Sequence, residues 1–269
     1  MTTISSSSSR SPLIVDCFLF NDEINLLFYR LEILCDVVDF FVIVESTRTF
    51  YGEKKRLYLN ELYVATDERL IKYKEKIIRI VDDNFVCDED NTKFITECDG
   101  LDIPNGYEIH QRNLIDDGIK HIRELCKTDL IIISNLNEIP NPDILQKIKK
   151  RELLIRKYCA LEMDIYFNHF KNKYKEKHLE PKIITVEFYV NMLLNTPQQC
   201  RSARCSNIIE KSGWRLVNFD DTIFGENFVD EERWFSPTIK EKQFNIGNWE
   251  YIPINENTFL PPRFQQSSK

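Results

Sequence analysis

The run Asp129-Leu-Ile-Ile-Ile-Ser-Asn-Leu-Asn-Glu-Ile-Pro140 decides how this chain is read. Leu130 to Ile133 is an unbroken apolar stretch ending in three isoleucines, the pattern of a strand buried on both faces. It stops at a cluster of short polar side chains, Ser134 to Glu138. Asn141, Pro142 and Asp143 then supply a cap, a proline at the first helical position and an acid in the first turn of a helix. In an open α/β sheet, ligands sit in the crevice beyond the carboxyl ends of the strands, so polar residues there form a candidate site. Carboxylates at that place suit a hard cation held against a diphosphate.

Working outward, strands and helices alternate through the first half. Leu13 to Phe20 reads as a strand interrupted by Asp16, and Asn21 or Asp22 is the expected cap of the helix that follows. Ile24, Leu27, Phe28, Leu31 and Leu34 recur at three- and four-residue steps and form its core-facing stripe. Phe40 to Val44 is a second strand ending at Glu45 and Ser46. A charged surface helix over Glu61 to Lys76 leads to a third strand, Ile77 to Val81, which ends at Asp82 and Asp83. Asn84 to Gly106, poor in apolar residues and carrying a Pro-Asn-Gly turn, reads as a long binding loop or lid. A helix from about Gln111 to Cys126 precedes the Leu130 strand, and Tyr158 to Tyr166 is strand-like again. Lys171 to Lys177 reads as a solvated loop or helix face, Ile183 to Leu194 as one or two strands, and Gly213-Trp214 as the opening of another. These β-α steps predict an α/β fold with a mostly parallel central sheet flanked by helices. The expected organisation is a Ser-rich tail over 1–12, one domain over 13–262 and a short tail over 263–269.

The chain has 269 residues, 42% hydrophobic and 29% charged, and a formal net charge of −7. That balance argues against a nucleic-acid partner, which calls for a basic face, and against anionic membranes. No apolar run approaches the roughly 20 residues that span a bilayer. Met1 to Ser11 lacks the charged-then-apolar order of a signal peptide, so a cytoplasmic location is expected. Eight scattered cysteines read as reduced thiols, with Cys200 and Cys205 the one pair at loop-like spacing for a disulfide or half a metal site. The four histidines show no paired ligand spacing. Dinucleotide, P-loop and esterase motifs do not occur.

Several blocks in order resemble one family. They are Asp16-Cys-Phe-Leu-Phe-Asn-Asp-Glu23, Asp36-Val-Val-Asp39, Phe41-Val-Ile-Val-Glu-Ser46 and Thr49-Phe-Tyr-Gly52. Gln111-Arg-Asn113, Leu130 to Ser134, Glu138-Ile-Pro-Asn-Pro142 and Met163-Asp-Ile-Tyr-Phe-Asn168 follow, with Gly213-Trp214 and Leu260-Pro-Pro262 as C-terminal landmarks. Together they resemble the family 17 glycosyltransferases, the group of the bisecting N-acetylglucosaminyltransferases. The resemblance implies a GT-A-like nucleotide-sugar-binding fold, a UDP-sugar donor, a glycan or glycoprotein acceptor, and inverting transfer of a sugar such as N-acetylglucosamine. It also implies a divalent metal, Mn or Mg. The chain departs from the family's Asp-Val-Asp-Glu-Ile-Pro at Asn135-Leu-Asn-Glu-Ile-Pro140, and from Gly-Trp-His at Gly213-Trp-Arg215.

The resemblance maps onto residues as follows. Asn135 and Asn137 take the two motif positions, and Asn137 with Glu138 would hold a metal through one amide oxygen and one carboxylate. Losing two carboxylates weakens cation binding, because full charges dominate such sites. Arginines are the substitute for diphosphate, and Arg112 and Arg215 are the candidates, each weighed against a salt-bridged arginine. Glu45 is either a ribose or base contact or a helix cap; Asp82 braces the donor site. Inversion needs a general base. Asp164 is taken for it over Glu162, with one of the two expected to face the cleft, and Glu138 joins Asp164 as catalytic. Trp214 either stacks on a sugar or is buried. The rival functional reading is an inactive relative that binds a glycan, a nucleotide or a protein.

Overall fold

The computed structural model describes residues 10–83, 106–191, 196–219, 224, 249–251 and 259–264. The strands are β1 (Ile14–Phe20), β2 (Phe40–Ser46), β3 (Ile77–Asp82), β4 (Leu130–Ile133), β5 (Glu138–Pro140), β6 (Tyr158–Phe167), β7 (His169–His178), β8 (Lys182–Thr185), β9 (Ile208–Val217) and β10 (Trp249–Tyr251). All ten belong to one sheet ordered β10-β7-β6-β8-β4-β1-β2-β3, with β9 alongside β6 and β5 beyond it. The block β3-β2-β1-β4 is parallel. From β8 onward the pairing is antiparallel except between β6 and β9. The expected parallel sheet therefore holds for the first half, and the second half makes the sheet mixed.

The helices are α1 (Ile24–Leu34), α2 (Tyr58–Val64), α3 (Glu68–Ile71), α4 (Gly106–Asn113), α5 (Ile115–Lys120), α6 (Pro142–Lys149), α7 (Val186–Asn191) and α8 (Pro197–Ser202). Side chains alternate across a strand, so β1 feeds two cores. Ile14, Phe18 and Phe20 pack with Leu27, Leu31 and Leu34 of α1 on one face. Val15, Cys17 and Leu19 pack with Ile115 and Ile119 of α5 and Tyr189 of α7 on the other. Gly118 lets α5 lie close to β2: a Cβ there would come within 2.3 Å of Val42 Cγ1. By the same alternation Asp16 points to the α1 face, a charged residue aimed into packed interior.

Several local expectations give way. The Glu61–Lys76 helix is broken into α2, α3 and a 3₁₀ turn, because Thr66 takes φ 56° and Asp67 caps a new start by accepting from the Arg69 amide. The helix expected from Gln111 to Cys126 begins at Gly106, is interrupted at Leu114 and ends at Lys120. Glu23, not Asn21 or Asp22, stands at the N-cap of α1. Lys171 to Lys177 lies within β7; its lysines recur at every second position, a strand period. Ile183 to Leu194 begins within β8 but turns into α7 at Val186. Cys200 and Cys205 are both free thiols, Cys200 being part of the second core. The Asn84–Gly106 loop lies outside the described residues except for Gly106, as do residues 1–9 and 265–269 of the two expected tails. No helix among the described residues is long and apolar enough to cross a membrane.

Candidate functional site

The polar run after β4 folds into one tight turn. Asn135 O accepts from the Glu138 amide at 3.0 Å, and the Asn135 amide donates back to Glu138 Oε2 at 2.7 Å. Beneath it lies Arg30 of α1, fully buried. Its Nη1 donates to the carbonyls of Asn135, Leu136 and Glu138 at 2.7, 2.9 and 2.9 Å. Its Nε and Nη2 grip Asp16, and Nη2 also reaches Ser134 Oγ at 2.6 Å. Backbone carbonyls in a loop need partners when buried; one guanidinium supplies three of them.

Helix α4 crosses the carboxyl ends of the parallel strands, and three consecutive side chains tie it there. His110 stands 3.5 Å from Asp82 at the end of β3. Gln111 donates to Arg48 O just after β2. Arg112 donates through Nη1 to Asn135 Oδ1 at 2.9 Å and through Nε to Gln198 at 2.7 Å, with Nη2 on Glu108. Asn113 completes the block by accepting from the Gln198 amide, which fixes the start of α8. Burial and the nearby Arg201 charge push the Arg112 guanidinium down to about 10.

Glu138 is the hub. Its two oxygens meet Arg201 Nη1 and Nη2 at 2.6 Å each, and Oε1 also takes His178 Nε2 at 2.6 Å. Arg201 Nη2 reaches on to Glu180 Oε2 at 2.6 Å. Burial opposes the Glu138 charge, yet Arg201 and His178 outweigh it and hold the carboxyl well below its usual range. Arg201 shows the mirror effect: burial works against its charge, and Glu138 overcomes that and raises it. Arg215, opposite Glu138 in the β5–β9 register, donates Nη1 to His178 Nδ1 at 2.8 Å. A ring accepting at Nδ1 and donating at Nε2 satisfies both neighbours. Arg215 Nε is buried without a hydrogen-bond partner, and no carboxylate lies in salt-bridge reach of Arg215 among the described residues. Lys182, also close by, is pushed down to about 8 by burial and then by Arg201.

Of the residues singled out from sequence, the fold brings together Arg112, Asn135, Glu138 and Arg215. Asn137 adjoins them; its Nδ2 donates to Leu216 O at 2.9 Å and its main-chain carbonyl accepts from the Leu216 amide. Glu45 is found in the second of its two expected roles: its oxygens accept from the Leu59 and Asn60 amides and cap α2. Asp82 sits at its strand end with Ser46 and His110. Asp164 is not at the site. It pairs with Trp214, whereas Glu138 pairs with the next residue, Arg215, so the two carboxylates point to opposite faces of the sheet. Asp164 is clamped instead by Lys173 at 2.5 Å and by Lys177. Glu162, two residues away, shares its face and also meets Lys177, so the expected choice between them does not arise. Trp214 is buried and donates Nε1 to Phe259 O at 3.1 Å, tying down the landmark Leu260-Pro-Pro262.

The sequence reading missed Arg30, Arg201, His178 and Glu180. Arg30 carried a signal, a charge beside the apolar stripe of α1 matched to an aspartate in an apolar strand. Arg201 and His178 carried none, since their meeting depends on long-range pairing.

The divalent cation that the family resemblance implies would need free ligand atoms at this cluster. Glu138, His178 and Glu180 offer ligand atoms that all lie within 4.8 Å of one another. Arg201 Nη2 already stands 2.6 Å from both carboxylates, and His178 Nε2 is spent on Glu138. These residues do not fit a metal ion as they are arranged.

The strand-end turn of this α/β protein is thus surrounded by Arg112, Arg201 and Arg215. By sequence the chain belongs to glycosyltransferase family 17, whose model matches residues 4–216. It is similar to the β-1,4-mannosyl-glycoprotein 4-β-N-acetylglucosaminyltransferases of Homo sapiens and Rattus norvegicus, 28% identical to each over 130 residues. Each match covers 48% of this chain and 22% of the relative, so it spans about a fifth of the relatives' length. Among solved structures, 4-diphosphocytidyl-2C-methyl-D-erythritolsynthase from Anaerococcus prevotii DSM 20548 overlaps 74% of this chain and 89% of its own, with TM-score 0.36 and 9% identity.

Proposed function

We propose that this chain moves a sugar, N-acetylglucosamine, from a UDP-sugar to a glycan hydroxyl with inversion, on a GT-A-type fold. Family membership supports sugar transfer, and the names of the relatives support the sugar. The observation that carries the reading is Arg215: a half-buried guanidinium with an unsatisfied Nε beside the Asn135–Glu138 turn. A guanidinium with no carboxylate partner lacks a countercharge, and a diphosphate meeting the accessible part of the group supplies one. Arg112 holds Asn135 in place at the same mouth.

The acceptor hydroxyl must surrender a proton to a base within hydrogen-bonding reach. Glu138 is consumed by Arg201 and His178, and Asp164 faces away. Glu180, 62% exposed beside Arg201, is the carboxylate that takes this role in our reading. Incubation with UDP-GlcNAc and a mannose-bearing glycan, followed by mass spectrometry, tests it. UDP release with a glycan heavier by one sugar is expected, and Glu180→Gln lowers the rate about 10²–10⁴-fold while UDP still binds. No release of UDP from any nucleotide sugar would defeat the proposal.

A second reading, an inactive relative that binds a nucleotide or glycan, is favoured by one observation. At the motif position Asn137 is neutral, with its Nδ2 committed to Leu216 O, so it brings no negative charge to a cation. Donor binding without turnover would establish it.

A further inference from the structure

The clustering of Glu138, His178 and Glu180 is what a divalent cation asks for: two carboxylates and an imidazole converging on one point. At that point sits a nitrogen. Arg201 Nη2 lies 2.6 Å from Glu138 Oε1 and 2.6 Å from Glu180 Oε2, while Nη1 closes a fork on Glu138 Oε2. We propose that Arg201 is a built-in cation: its guanidinium fills the metal position, so a donor diphosphate is bound by protein cations alone.

Three observations converge. Arg201 is held rigidly, because α8 starts at Thr196, whose side chain accepts from the Gln199 amide, and is pinned to α4 by Asn113 and by the Arg112–Gln198 contact. The Glu138 carboxylate is fully subscribed, each oxygen accepting two hydrogen bonds. A metal could ligate it only by displacing a guanidinium that makes the bidentate pair carboxylates favour most. Finally, Asn137, the other expected ligand, is neutral and has its Nδ2 committed to Leu216 O, leaving a single uncharged amide oxygen for an ion. Arg201 brings one positive charge against the two carboxylates it pairs with, one less than a divalent ion would, so the cation left to face a diphosphate is Arg215, which no carboxylate matches among the described residues.

The diphosphate half of this inference rests on the function proposed above; the metal half does not. Calorimetry with Mn²⁺ and Zn²⁺ alone, without nucleotide, isolates the metal half. The wild-type protein is expected to show no saturable site that His178→Ala removes. Arg201→Ala is expected to gain one Zn²⁺ per chain, and the double variant Arg201→Ala/His178→Ala to lose it. If Arg201→Ala unfolds, Zn²⁺-dependent recovery of its thermal transition gives the same answer, and failure to recover overturns the idea. So does a His178-dependent metal site in the wild type, or a folded Arg201→Ala that takes no Zn²⁺. In a second arm, UDP-GlcNAc is titrated in EDTA and in Mn²⁺. Equal affinity supports the inference, and tighter binding in Mn²⁺ refutes it while leaving the proposed function standing. Absence of UDP-GlcNAc binding in both buffers defeats the function and the diphosphate half, while the metal-only titrations still decide the role of Arg201.

Discussion

Arg30 and Asp16 form a two-pronged ion pair with no exposure on either side chain, Nε and Nη2 lying 2.9 and 2.7 Å from the two carboxylate oxygens. The pair is anchored on β1 and α1, and the remaining guanidinium nitrogen holds the turn at the candidate site. Removing one partner of such a pair leaves the other charged and buried, at a cost of about 3–5 kcal/mol. Arg30→Met is expected to lose that much by urea denaturation. Arg30→Met/Asp16→Leu should recover only part of it, because the carbonyls of Asn135, Leu136 and Glu138 stay without their donor. Full recovery would show that the carbonyl contacts contribute nothing.

Glu138 sets a pH signature. Its folded carboxyl lies well below its usual range, whereas in the unfolded chain it titrates at ~4.3. Above the unfolded value both states are charged and the full stabilisation is present. As pH falls toward the folded value the unfolded chain binds the proton first, and the stabilisation is lost. The stability advantage of wild type over Glu138→Gln should therefore be constant above about pH 5 and shrink below about pH 4. An advantage that grows on acidification would contradict the assignment.

At Gly213 β9 passes close to β5. A Cβ there would stand 2.3 Å from Ile139 O and 2.9 Å from Met163 Cε. The methionine can yield; the backbone carbonyl cannot without shifting β5 and, with it, Glu138. Gly213→Ala is expected to cost about 1–3 kcal/mol in chemical denaturation, and a neutral result would mean that the strands separate freely.

Asn135 accepts from Arg112, a guanidinium that burial and Arg201 push down to about 10. Asn135→Asp places a full charge against it and should raise stability by about 1 kcal/mol, read as a higher Tm. A lower Tm would show that repulsion from Glu138 outweighs the new pair.

Much of this was legible in the sequence where chemistry is local. The Leu130–Ile133 strand, the polar turn and the Asn141 cap of α6 follow from neighbouring residues, and the structure has all three. Of Gln111-Arg-Asn113, Arg112 reaches Asn135 in the turn, while Gln111 and Asn113 tie its helix to Arg48 O and to the Gln198 amide. What was not legible depends on pairing between distant segments. Lys171 to Lys177 hid a strand because its charge outweighed its two-residue period. Asp164 looked like a cleft residue because its facing is set by register with β9, more than 40 residues on. Arg201 reaches Glu138 across 63 positions of sequence, which no spacing rule anticipates.

The central claim is that the arginine-faced turn receives a sugar nucleotide. Isothermal titration of UDP-GlcNAc into the wild-type protein and into Arg215→Ala tests it most directly. The account predicts saturable one-to-one binding to the wild type, weakened about tenfold or more by the substitution, since a charge-assisted hydrogen bond contributes about 1.5–3 kcal/mol. Equal affinity in the two proteins, or no heat of binding in either, would contradict it.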